Sequence, residues 1–323
     1  MKAVVIYQKG EMPRYVDFPD PIAKNENELL LTVKAAAIKH FDKGAAKGTH
    51  YSSTANNAHA KVIGGDGVGI LADGTRVYAL GNTGMVAEKA IIEKDRVVIL
   101  PNGLDDATAA ALPNAIAGAA MALRFRAGIQ AGDTVLINGA TGFTGQLAVQ
   151  IAKQYGAKKV IATGRNPESL KKLLTLGADE VISVNQNDEQ FMARIKELHR
   201  STPLDVIVDY LWGHSAELLL ASLKGNGTFT NRTRFVSVGS VTGDKIQLSA
   251  ENLRSVNLQL MGSGLGSWTK AEMQKLFSEI LPEMFQLAAD GKLKVETTKV
   301  KLKDIEALWE MNVPDGQRLV VVM

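Results

Sequence analysis

The sequence predicts an α/β protein in which a doubly wound parallel sheet is inserted into a second, β-rich domain. From Thr134 onward, short apolar runs alternate with amphipathic helical segments, which is typical of a parallel sheet covered on both faces. Roughly the first 100 residues instead contain short strands broken by glycine and turn residues, which predicts a compact β-rich domain. The last part of the chain returns to mixed character, so we expect it to rejoin the first domain.

The length of the chain allows this arrangement. A chain of 323 residues can form two domains that each bury a core, and 46% hydrophobic with 22% charged residues is an ordinary globular composition. We expect the doubly wound domain over residues 114–265 and the β-rich domain over residues 1–113 and 266–323.

The β-rich domain is predicted from short apolar runs between glycine and turn residues. Residues 1–18 alternate apolar and polar side chains and predict a pair of strands. Further strands are predicted at LLLTVKAAAI, KVIGGDGVGIL, TRVYAL, MVAEKAII and RVVIL, which are residues 29–38, 61–71, 75–80, 85–92 and 96–100. The tail adds a helix near residues 270–290, a strand near VETTKV, a helix at DIEALWEM and a final strand at RLVVVM.

The doubly wound domain follows alanine-rich helical segments that begin after Pro101. Its strands are predicted at TVLIN, KVIAT, EVISV, DVIVDY, FVSVG and LQLMG, which are residues 134–138, 159–163, 180–184, 205–210, 235–239 and 258–262. Helical segments lie between most of these strands, as a parallel sheet requires.

Charge and residue types exclude several functions. The net charge of +3 comes from 37 basic and 34 acidic residues spread along the chain, so nucleic acid is not an expected partner. No run of about 18 apolar residues is present and the first residues lack a signal-peptide pattern, so we expect a cytoplasmic protein with no membrane partner. The absence of cysteine excludes disulfides, thiolate nucleophiles and any zinc site that needs sulfur.

A glycine-rich turn follows the strand at residues 134–138. Gly139, Gly142 and Gly145 have the spacing G-x-x-G-x-x-G and lead into the helical segment QLAVQIAKQYG. Glycines permit the tight turn, the approach of backbone N–H groups to a pyrophosphate and close helix packing, while the helix N-terminus stabilises the anion. Between a strand and a helix, the pattern predicts a dinucleotide-binding turn of the Rossmann type. The alternative is a glycine-rich turn without a ligand.

The end of the next strand indicates which dinucleotide binds. A site for NAD carries Asp or Glu there, because the carboxylate accepts hydrogen bonds from the ribose hydroxyls and repels a phosphate. Here KVIAT is followed by Gly164, Arg165 and Asn166, and Arg165 lies 20 positions after Gly145. A guanidinium can bind the 2′-phosphate bidentately, so we expect NADPH as the cofactor. The alternative is that Arg165 is a solvated loop residue.

Further motifs lie in order along nearly the whole chain. They are KVIGGDGVGIL, GTRVYAL, AEKAII, LPNAIAGAAMAL, VLINGATGFTGQLAVQIAK, LGADEVI and VPDGQRLVVVM. With these motifs the chain resembles the medium-chain dehydrogenase/reductase superfamily, specifically its zinc-free quinone oxidoreductase branch. The resemblance implies a GroES-like catalytic domain formed by both ends of the chain, a nicotinamide held between this domain and the Rossmann domain, and a homodimer formed through the nucleotide domain.

The resemblance also implies which residues contact the cofactor. The pyrophosphate residues would be Thr141, Gly142, Phe143 and Thr144, and the 2′-phosphate residues Arg165, Asn166 and Ser169. The residues that face the ribose and nicotinamide would be Tyr210, Gly239 and Ser263. The predicted cofactor-binding residues also include the glycines Gly139, Gly145 and Gly164.

Zinc is not expected in this chain. The zinc-dependent branch of the superfamily places metal ligands where this sequence has Lys39 and Gly65, and neither can serve as the Cys or His of that site. The clustered cysteines of its structural zinc lobe are missing too. We therefore expect no metal and no zinc alcohol dehydrogenase chemistry.

Without zinc, a hydride from NADPH must reach an acceptor that is already electrophilic, such as a quinone or an α,β-unsaturated carbonyl compound. Negative charge then develops on oxygen, which needs a donor, a cation or a proton from water. The family carries N-P-x-D, then a glycine and a tyrosine; here Asp42 and Tyr51 match, while Lys39 replaces the asparagine. The catalytic candidates are therefore Lys39, as the electrostatic partner of the oxygen, with Tyr51 and Asp42. The alternatives are a helix cap or a structural hydrogen-bond acceptor for Asp42 and a loop position for Tyr51.

The leading hypothesis is an NADPH-dependent reductase of quinones or enones. A second hypothesis is a reductase of acyl-thioester enones, an enoyl reductase, which the same fold supports. A third is a sensor or structural protein that binds NADPH without turnover, because Lys39 replaces a family residue and Gly118 stands where the family has Thr or Ser.

Overall fold

The structure, a computed structural model, describes residues 1–8, 10–48, 60–225, 227 and 229–323. It divides into two compact units. The split unit contains Met1–Asn114 and Gln274–Met323, and the contiguous unit contains Ala115–Met273.

The strands are labelled in chain order. They are β1 (Lys2–Ile6), β2 (Arg14–Asp17), β3 (Glu28–Ile38), β4 (Lys61–Val62), β5 (Asp66–Ile70), β6 (Arg76–Gly81), β7 (Lys89–Ile99), β8 (Thr134–Asn138), β9 (Lys159–Gly164), β10 (Glu180–Ser183), β11 (Val206–Asp209), β12 (Thr233–Ser237), β13 (Leu258–Gly262), β14 (Glu296–Lys301) and β15 (Gln317–Val322).

The helices are labelled in the same way. They are α1 (His40–Lys47), α2 (Asp106–Met121), α3 (Phe143–Gln154), α4 (Pro167–Thr175), α5 (Asp188–Ser201), α6 (Gly213–Ser222), α7 (Ala250–Ser255), α8 (Lys270–Lys275), α9 (Leu281–Ala289) and α10 (Ile305–Leu308). Short π-helical turns cover Ala122–Arg126 and Leu276–Ile280, and 3-10 turns cover Leu265–Ser267 and Leu302–Asp304. Within the described ranges, no helix is both long enough and apolar enough to cross a bilayer.

In the split unit, a six-stranded sheet has the order β14-β15-β3-β5-β6-β7, and β7 returns to pair with β3. The strands β3, β5, β6 and β7 therefore form a closed ring of antiparallel neighbours. Because β15 pairs antiparallel with β3, the last strand completes a sheet that begins near the start of the chain. A smaller sheet has the order β2-β1-β4. The core of the unit buries Leu31, Ile92 and Trp309.

Two strands of the split unit differ from the prediction. The strand predicted over residues 61–71 is two strands, β4 and β5, with Gly64 between them at a φ of +88°. A Cβ at Gly64 would lie 2.8 Å from the Val86 side chain, so this conformation and this contact both require glycine. Conversely, residues 89–99 form one strand where two were predicted, because the charged segment between them continues to pair with β3 at Glu93.

In the contiguous unit, a six-stranded sheet has the order β10-β9-β8-β11-β12-β13, and all neighbouring strands are parallel. Helix α3 packs on β8 and β9, and α5 packs against α6. Because β8 lies between β9 and β11, the strand order reverses at β8. In such sheets, ligands bind at the carboxyl ends of the strands beside this switch point. The predicted doubly wound sheet and its separate β-rich partner are confirmed.

Candidate functional site

The glycine-rich turn joins β8 to α3 at the switch point. Gly139 has a φ of +82°, and a Cβ there would lie 2.8 Å from the Leu211 side chain. A Cβ at Gly145 would lie 2.6 Å from the Cα of Ala140 and would collide with the turn itself. Both positions require glycine for the fold alone, because other atoms occupy the space of a side chain.

The middle glycine of the turn, Gly142, has a different environment. Its φ of −71° and ψ of 162° suit any residue, and a Cβ there would meet no described atom within 4 Å. Gly142 is the N-cap of α3, and as a glycine it makes no side-chain capping hydrogen bond to this helix. A helix N-terminus beside open space binds anions, because its first N–H groups and its dipole attract negative charge. The turn, with Thr141, Phe143 and Thr144 around Gly142, therefore fits a dinucleotide pyrophosphate.

The end of β9 lies against this turn. A Cβ at Gly164 would collide with the side chain of Thr141, so glycine permits the close approach of strand and turn. The next residue, Arg165, is exposed, and its carbonyl oxygen accepts a hydrogen bond from the Asn185 amide at 3.3 Å. The structure therefore brings the predicted 2′-phosphate segment next to the predicted pyrophosphate segment.

Asn166 has a structural role that the sequence did not predict. Its side-chain oxygen accepts the backbone N–H groups of Glu168 at 2.9 Å and Ser169 at 3.0 Å, so it caps α4. Ser169 lies in the first turn of that helix and is half-buried. The amide nitrogen of Asn166 is then the part of its side chain that can donate to a phosphate.

The residues predicted to face the ribose and nicotinamide follow the next three strands of the sheet. Tyr210 is buried after β11, and its hydroxyl donates to the Gly118 carbonyl at 3.2 Å. Burial raises the pKa of Tyr210 far above its ordinary value, so the phenol is neutral. Gly239 follows β12, where a Cβ would lie 2.7 Å from the Tyr210 carbonyl oxygen. Ser263 follows β13, and its hydroxyl accepts the indole N–H of Trp268 at 3.1 Å.

A buried polar network under the turn was missed by the sequence analysis. Asn138, Thr163 and Asp209 have no exposed surface and lie at the carboxyl ends of β8, β9 and β11. A signal was available, because each is a polar residue at or near the end of an otherwise apolar run. Their contacts could not be predicted, since they depend on which strands are neighbours.

In the split unit, Lys39 and Asp42 belong to a buried ion cluster. The ammonium of Lys39 contacts Asp66 Oδ1 and lies 3.3 Å from Asp42 Oδ2. The Asp42 carboxylate also accepts the backbone N–H of Lys39 at 2.8 Å, at the start of α1. The Tyr78 hydroxyl donates to the other oxygen of Asp66 at 2.9 Å. The Asp42 carboxylate therefore accepts a backbone hydrogen bond at the start of α1 and pairs with the Lys39 ammonium.

The charges of this cluster compensate one another. Burial alone would lower the pKa of Lys39, but the carboxylates of Asp42 and Asp66 outweigh it and raise that pKa. Burial lowers the pKa of the Arg318 guanidinium to about 10, although the same two carboxylates act in the opposite direction. Burial raises the pKa of Tyr78 well above its ordinary value, and Asp66 adds to this effect. Lys39 is thus a charged side chain held by two carboxylates.

Tyr51 and Gly65 are the remaining positions that the sequence singled out in the first part of the chain. Tyr51 lies outside the described residues. At Gly65, a Cβ would meet no described atom within 4 Å. Across the described part of the chain, no three His, Asp or Glu side chains are grouped so that they could hold a metal ion.

Comparison with known proteins identifies the family. The profile of the zinc-binding dehydrogenase family matches residues 144–282. The quinone oxidoreductase of Sus scrofa is 30% identical over 287 residues, which cover 85% of this chain and 84% of that protein. The mitochondrial enoyl-(acyl-carrier-protein) reductase of Arabidopsis thaliana is 31% identical over 180 residues, which cover 54% of this chain and 46% of that protein. A structure of the quinone oxidoreductase from Thermus thermophilus, which was also solved in complex with NADPH, has a TM-score of 0.77 and 26% identity, with 100% of both chains covered.

The doubly wound sheet, the glycine-rich turn and these similarities show that the chain belongs to the medium-chain dehydrogenase/reductase superfamily, a class of oxidoreductases. Within that superfamily it falls in the quinone oxidoreductase branch. The resemblance found in the sequence is confirmed.

Proposed function

We propose that this protein is a zinc-independent, NADPH-dependent reductase that transfers a hydride to a quinone or an α,β-unsaturated carbonyl compound. The observation that carries the proposal is the open N-terminus of α3 at Gly142, which has both room and partial positive charge for a dinucleotide phosphate. The relatives from Sus scrofa and Thermus thermophilus are quinone oxidoreductases, and this similarity supports the acceptor class.

The surroundings of Arg165 support NADPH rather than NADH. Its exposed guanidinium makes no hydrogen bond or ion pair with any residue that the structure describes. The nearest carboxylate later in the chain, that of Glu168, is paired with Lys171 at 3.0 Å. An exposed guanidinium with no partner among the described residues suits a 2′-phosphate. The NADPH complex of the Thermus thermophilus enzyme supports the same cofactor.

In this proposal the protein binds and orients the dinucleotide, which supplies the hydride when it is bound. The main-chain N–H groups at the start of α3 hold the pyrophosphate, because they point along the helix axis toward the open space. Glycine at positions 139, 145 and 164 lets the turn, the helix and β9 approach one another closely. The 2′-phosphate contacts are Arg165, Asn166 and Ser169, and the ribose and nicotinamide contacts are Tyr210, Gly239 and Ser263.

The charge that develops on the acceptor oxygen needs a separate partner. The sequence predicts Lys39 for this role, but its ammonium already contacts the carboxylates of Asp42 and Asp66. We therefore assign Lys39 to the stability of the split unit. We propose instead that Tyr51 or a water molecule stabilises the acceptor oxygen and donates a proton to it.

The experiment that tests the proposal follows the absorbance of NADPH, with NADH in parallel, against a panel of quinones, alkenals and enoyl thioesters. We expect turnover with quinones or alkenals and a higher kcat/KM with NADPH than with NADH. Tight NADPH binding without turnover of any acceptor would overturn the enzymatic proposal and favour the NADPH-binding sensor or structural protein.

An enoyl-thioester reductase is the second candidate. It is favoured by the similarity to the mitochondrial enoyl-(acyl-carrier-protein) reductase of Arabidopsis thaliana. The discriminating comparison uses one enone offered as a free carbonyl compound and as a pantetheine thioester. A kcat/KM that is higher for the thioester by about tenfold or more would favour this candidate, because contacts with the pantetheine arm would then assist the reaction.

A further inference from the structure

The buried network under the glycine-rich turn joins three neighbouring strands. The amide nitrogen of Asn138 donates to Asp209 Oδ1 at 2.8 Å, across the contact between β8 and β11. The amide oxygen of Asn138 accepts the Thr163 hydroxyl at 2.6 Å, across the contact between β8 and β9. The Asn138 side chain, at the end of β8, is therefore hydrogen-bonded to both neighbouring strands, β9 and β11.

On the β9 side, the network reaches the glycine-rich turn. The Thr163 hydroxyl oxygen accepts the backbone N–H of Gly139 at 3.1 Å, and the Thr163 carbonyl accepts the N–H of Ala140 at 2.8 Å. The Thr163 hydroxyl donates its one proton to the Asn138 amide oxygen, so toward the Gly139 N–H the hydroxyl oxygen acts as the acceptor. The first two residues of the turn are thus held by the same threonine that orients the Asn138 amide.

On the β11 side, the network reaches a strained junction before α6. The Asp209 carboxylate accepts the backbone N–H groups of Leu211 and Trp212, each at 3.0 Å. Trp212 has a φ of +57° and a ψ of −155°, and it is the only non-glycine residue with a positive φ in the described ranges. The Thr242 hydroxyl lies 3.0 Å from the carbonyl oxygens of both Leu211 and Trp212. A bulky residue keeps such a conformation only where its surroundings fix it, and such positions cluster at functional sites.

We propose that Asn138 is a positioning residue that makes the glycine-rich turn and the Trp212 junction one preformed unit for dinucleotide binding. The connection runs from the Gly139 N–H through Thr163, Asn138 and Asp209 to the Trp212 N–H. The inference rests on the proposed function, because it assigns pre-organisation of that same dinucleotide site to the network. Groups that are already ordered lose less entropy when a ligand binds, so a loosened network weakens binding without any lost ligand contact.

Four variants separate this role from ordinary packing. Asn138→Leu keeps a similar volume but removes both the donor and the acceptor. Thr163→Val removes the hydroxyl with little change of shape, and Thr163→Ser keeps the hydroxyl as the conservative variant. Ser215→Ala is the matched control. The Ser215 hydroxyl lies 3.0 Å from the amide nitrogen and 3.2 Å from the amide oxygen of Asn138, so the variant removes contacts of Asn138 that are not part of the connection from Gly139 to Trp212.

The experiment measures the Kd for NADPH by calorimetry and amide hydrogen exchange in the dinucleotide-free protein, with thermal unfolding in parallel. We expect Asn138→Leu and Thr163→Val to raise the Kd by about tenfold or more, with Thr163→Ser and Ser215→Ala within about twofold of the original. We also expect Thr163→Val to speed exchange at residues 211–213, although Thr163 has no described hydrogen bond with them. A general loss of stability would speed exchange throughout the parallel sheet, so the expected signal is a larger increase at residues 211–213 than at the other protected amides of that sheet.

Each outcome decides the proposal. A lower unfolding temperature with an unchanged Kd and unchanged exchange at residues 211–213 overturns it and leaves Asn138 a packing residue. If Asn138→Leu does not fold, the pair Thr163→Val and Thr163→Ser carries the same comparison. If the original protein binds no NADPH, the proposed function fails, and the exchange data alone still decide whether the network joins the turn to the Trp212 junction.

Discussion

At the scale of single residues, the proposed preference for NADPH rests on the charge of Arg165. Charge-assisted hydrogen bonds contribute about 1.5–3 kcal/mol each, which is about a 10- to 150-fold change in affinity. We expect Arg165→Ala to raise the KM for NADPH by about this factor and the KM for NADH by less than about twofold. The control is Lys224→Ala, which removes an exposed cation that is paired with Glu251 at 2.7 Å and lies outside the proposed phosphate-binding residues. Equal increases of the two KM values in Arg165→Ala would contradict the assignment.

The stability of the split unit depends on Lys39. Lys39→Met leaves the carboxylates of Asp42 and Asp66 without their nearest cation, and the loss of one partner of a buried pair costs about 3–5 kcal/mol. We expect a lower denaturant midpoint, which the double variant Lys39→Met, Asp66→Asn recovers in part because one uncompensated charge is gone. The kcat/KM of the folded double variant should stay near the original. A loss of kcat/KM in both variants would show that Lys39 stabilises the transition state after all.

Individual residues show which parts of the candidate site could be predicted from the sequence and which could not. The glycine-rich turn was readable because its residues are neighbours in the chain and their spacing reports the local backbone. The contact of Lys39 with Asp66 joins residues 27 positions apart, and that of Asn138 with Asp209 joins residues 71 positions apart. Such partners depend on the order of strands in the sheets. For this reason the sequence suggested a catalytic cation at Lys39, where the structure has an ion cluster.

At the scale of elements, the turn between β8 and α3 contains glycines with different requirements. Gly142→Ala places a methyl group in open space at an allowed φ, so we expect a change in the free energy of unfolding of less than about 0.5 kcal/mol. The same methyl group would lie where we propose that the pyrophosphate binds, so we expect a rise of about tenfold or more in the Kd for NADPH.

The matched variant is Gly145→Ala. Its methyl group would collide with the backbone at Ala140, so we expect a loss of stability of about 1–3 kcal/mol or more. Calorimetry and denaturant unfolding of both variants check this contrast. An unchanged Kd for NADPH in a folded Gly142→Ala protein would mean that the phosphate does not lie at the N-terminus of α3.

The N-termini of α5 and α6 are joined by an exposed pair that responds to pH. His214 Nε2 lies 2.9 Å from Asp188 Oδ2, and hydrogen bonds with Asp188 and then Glu217 raise the pKa of His214 above its ordinary value of 6.5. A raised pKa in the folded state means that this pair stabilises the fold below about pH 6.5 and loses its effect as the pH rises through the folded pKa. The effect on stability is small, because both side chains are exposed.

The test of this pair is an NMR titration of His214. We expect Asp188→Asn to lower the pKa of His214 toward 6.5, and Glu217→Gln to lower it less, since the second contact is longer at 3.4 Å. The pair is absent in solution if Asp188→Asn leaves the titration unchanged.

The sequence predicted strands correctly where a single local pattern of apolar residues determines them. All six strands of the parallel sheet were found, because a strand buried on both faces is a short continuous apolar run. The break at Gly64 and the uninterrupted β7 were missed, since the first depends on contact with Val86 and the second on pairing with β3. Both depend on residues that are distant in the chain, which no local pattern reports.

At the scale of the whole molecule, the reaction is expected to be independent of bound metal. Lys39 and Gly65 occupy the positions of zinc ligands in the zinc-dependent branch, and the chain has no cysteine to bind zinc. We expect protein dialysed against a chelator to keep its kcat/KM and its unfolding temperature. Elemental analysis before and after dialysis is the control. One zinc ion per chain whose removal abolishes activity would disprove zinc independence.

The antiparallel pairing of β15 with β3 sets an order for folding during synthesis. A ribosome has produced all of Ala115–Met273 before β15 exists, so the contiguous unit can fold while the nascent chain is still attached. Residues 35–38 of β3 meanwhile present backbone donors and acceptors that lack their final partner. Such an edge is a template for pairing with strands of other chains, so residues 35–38 are exposed to mispairing until β15 has been made.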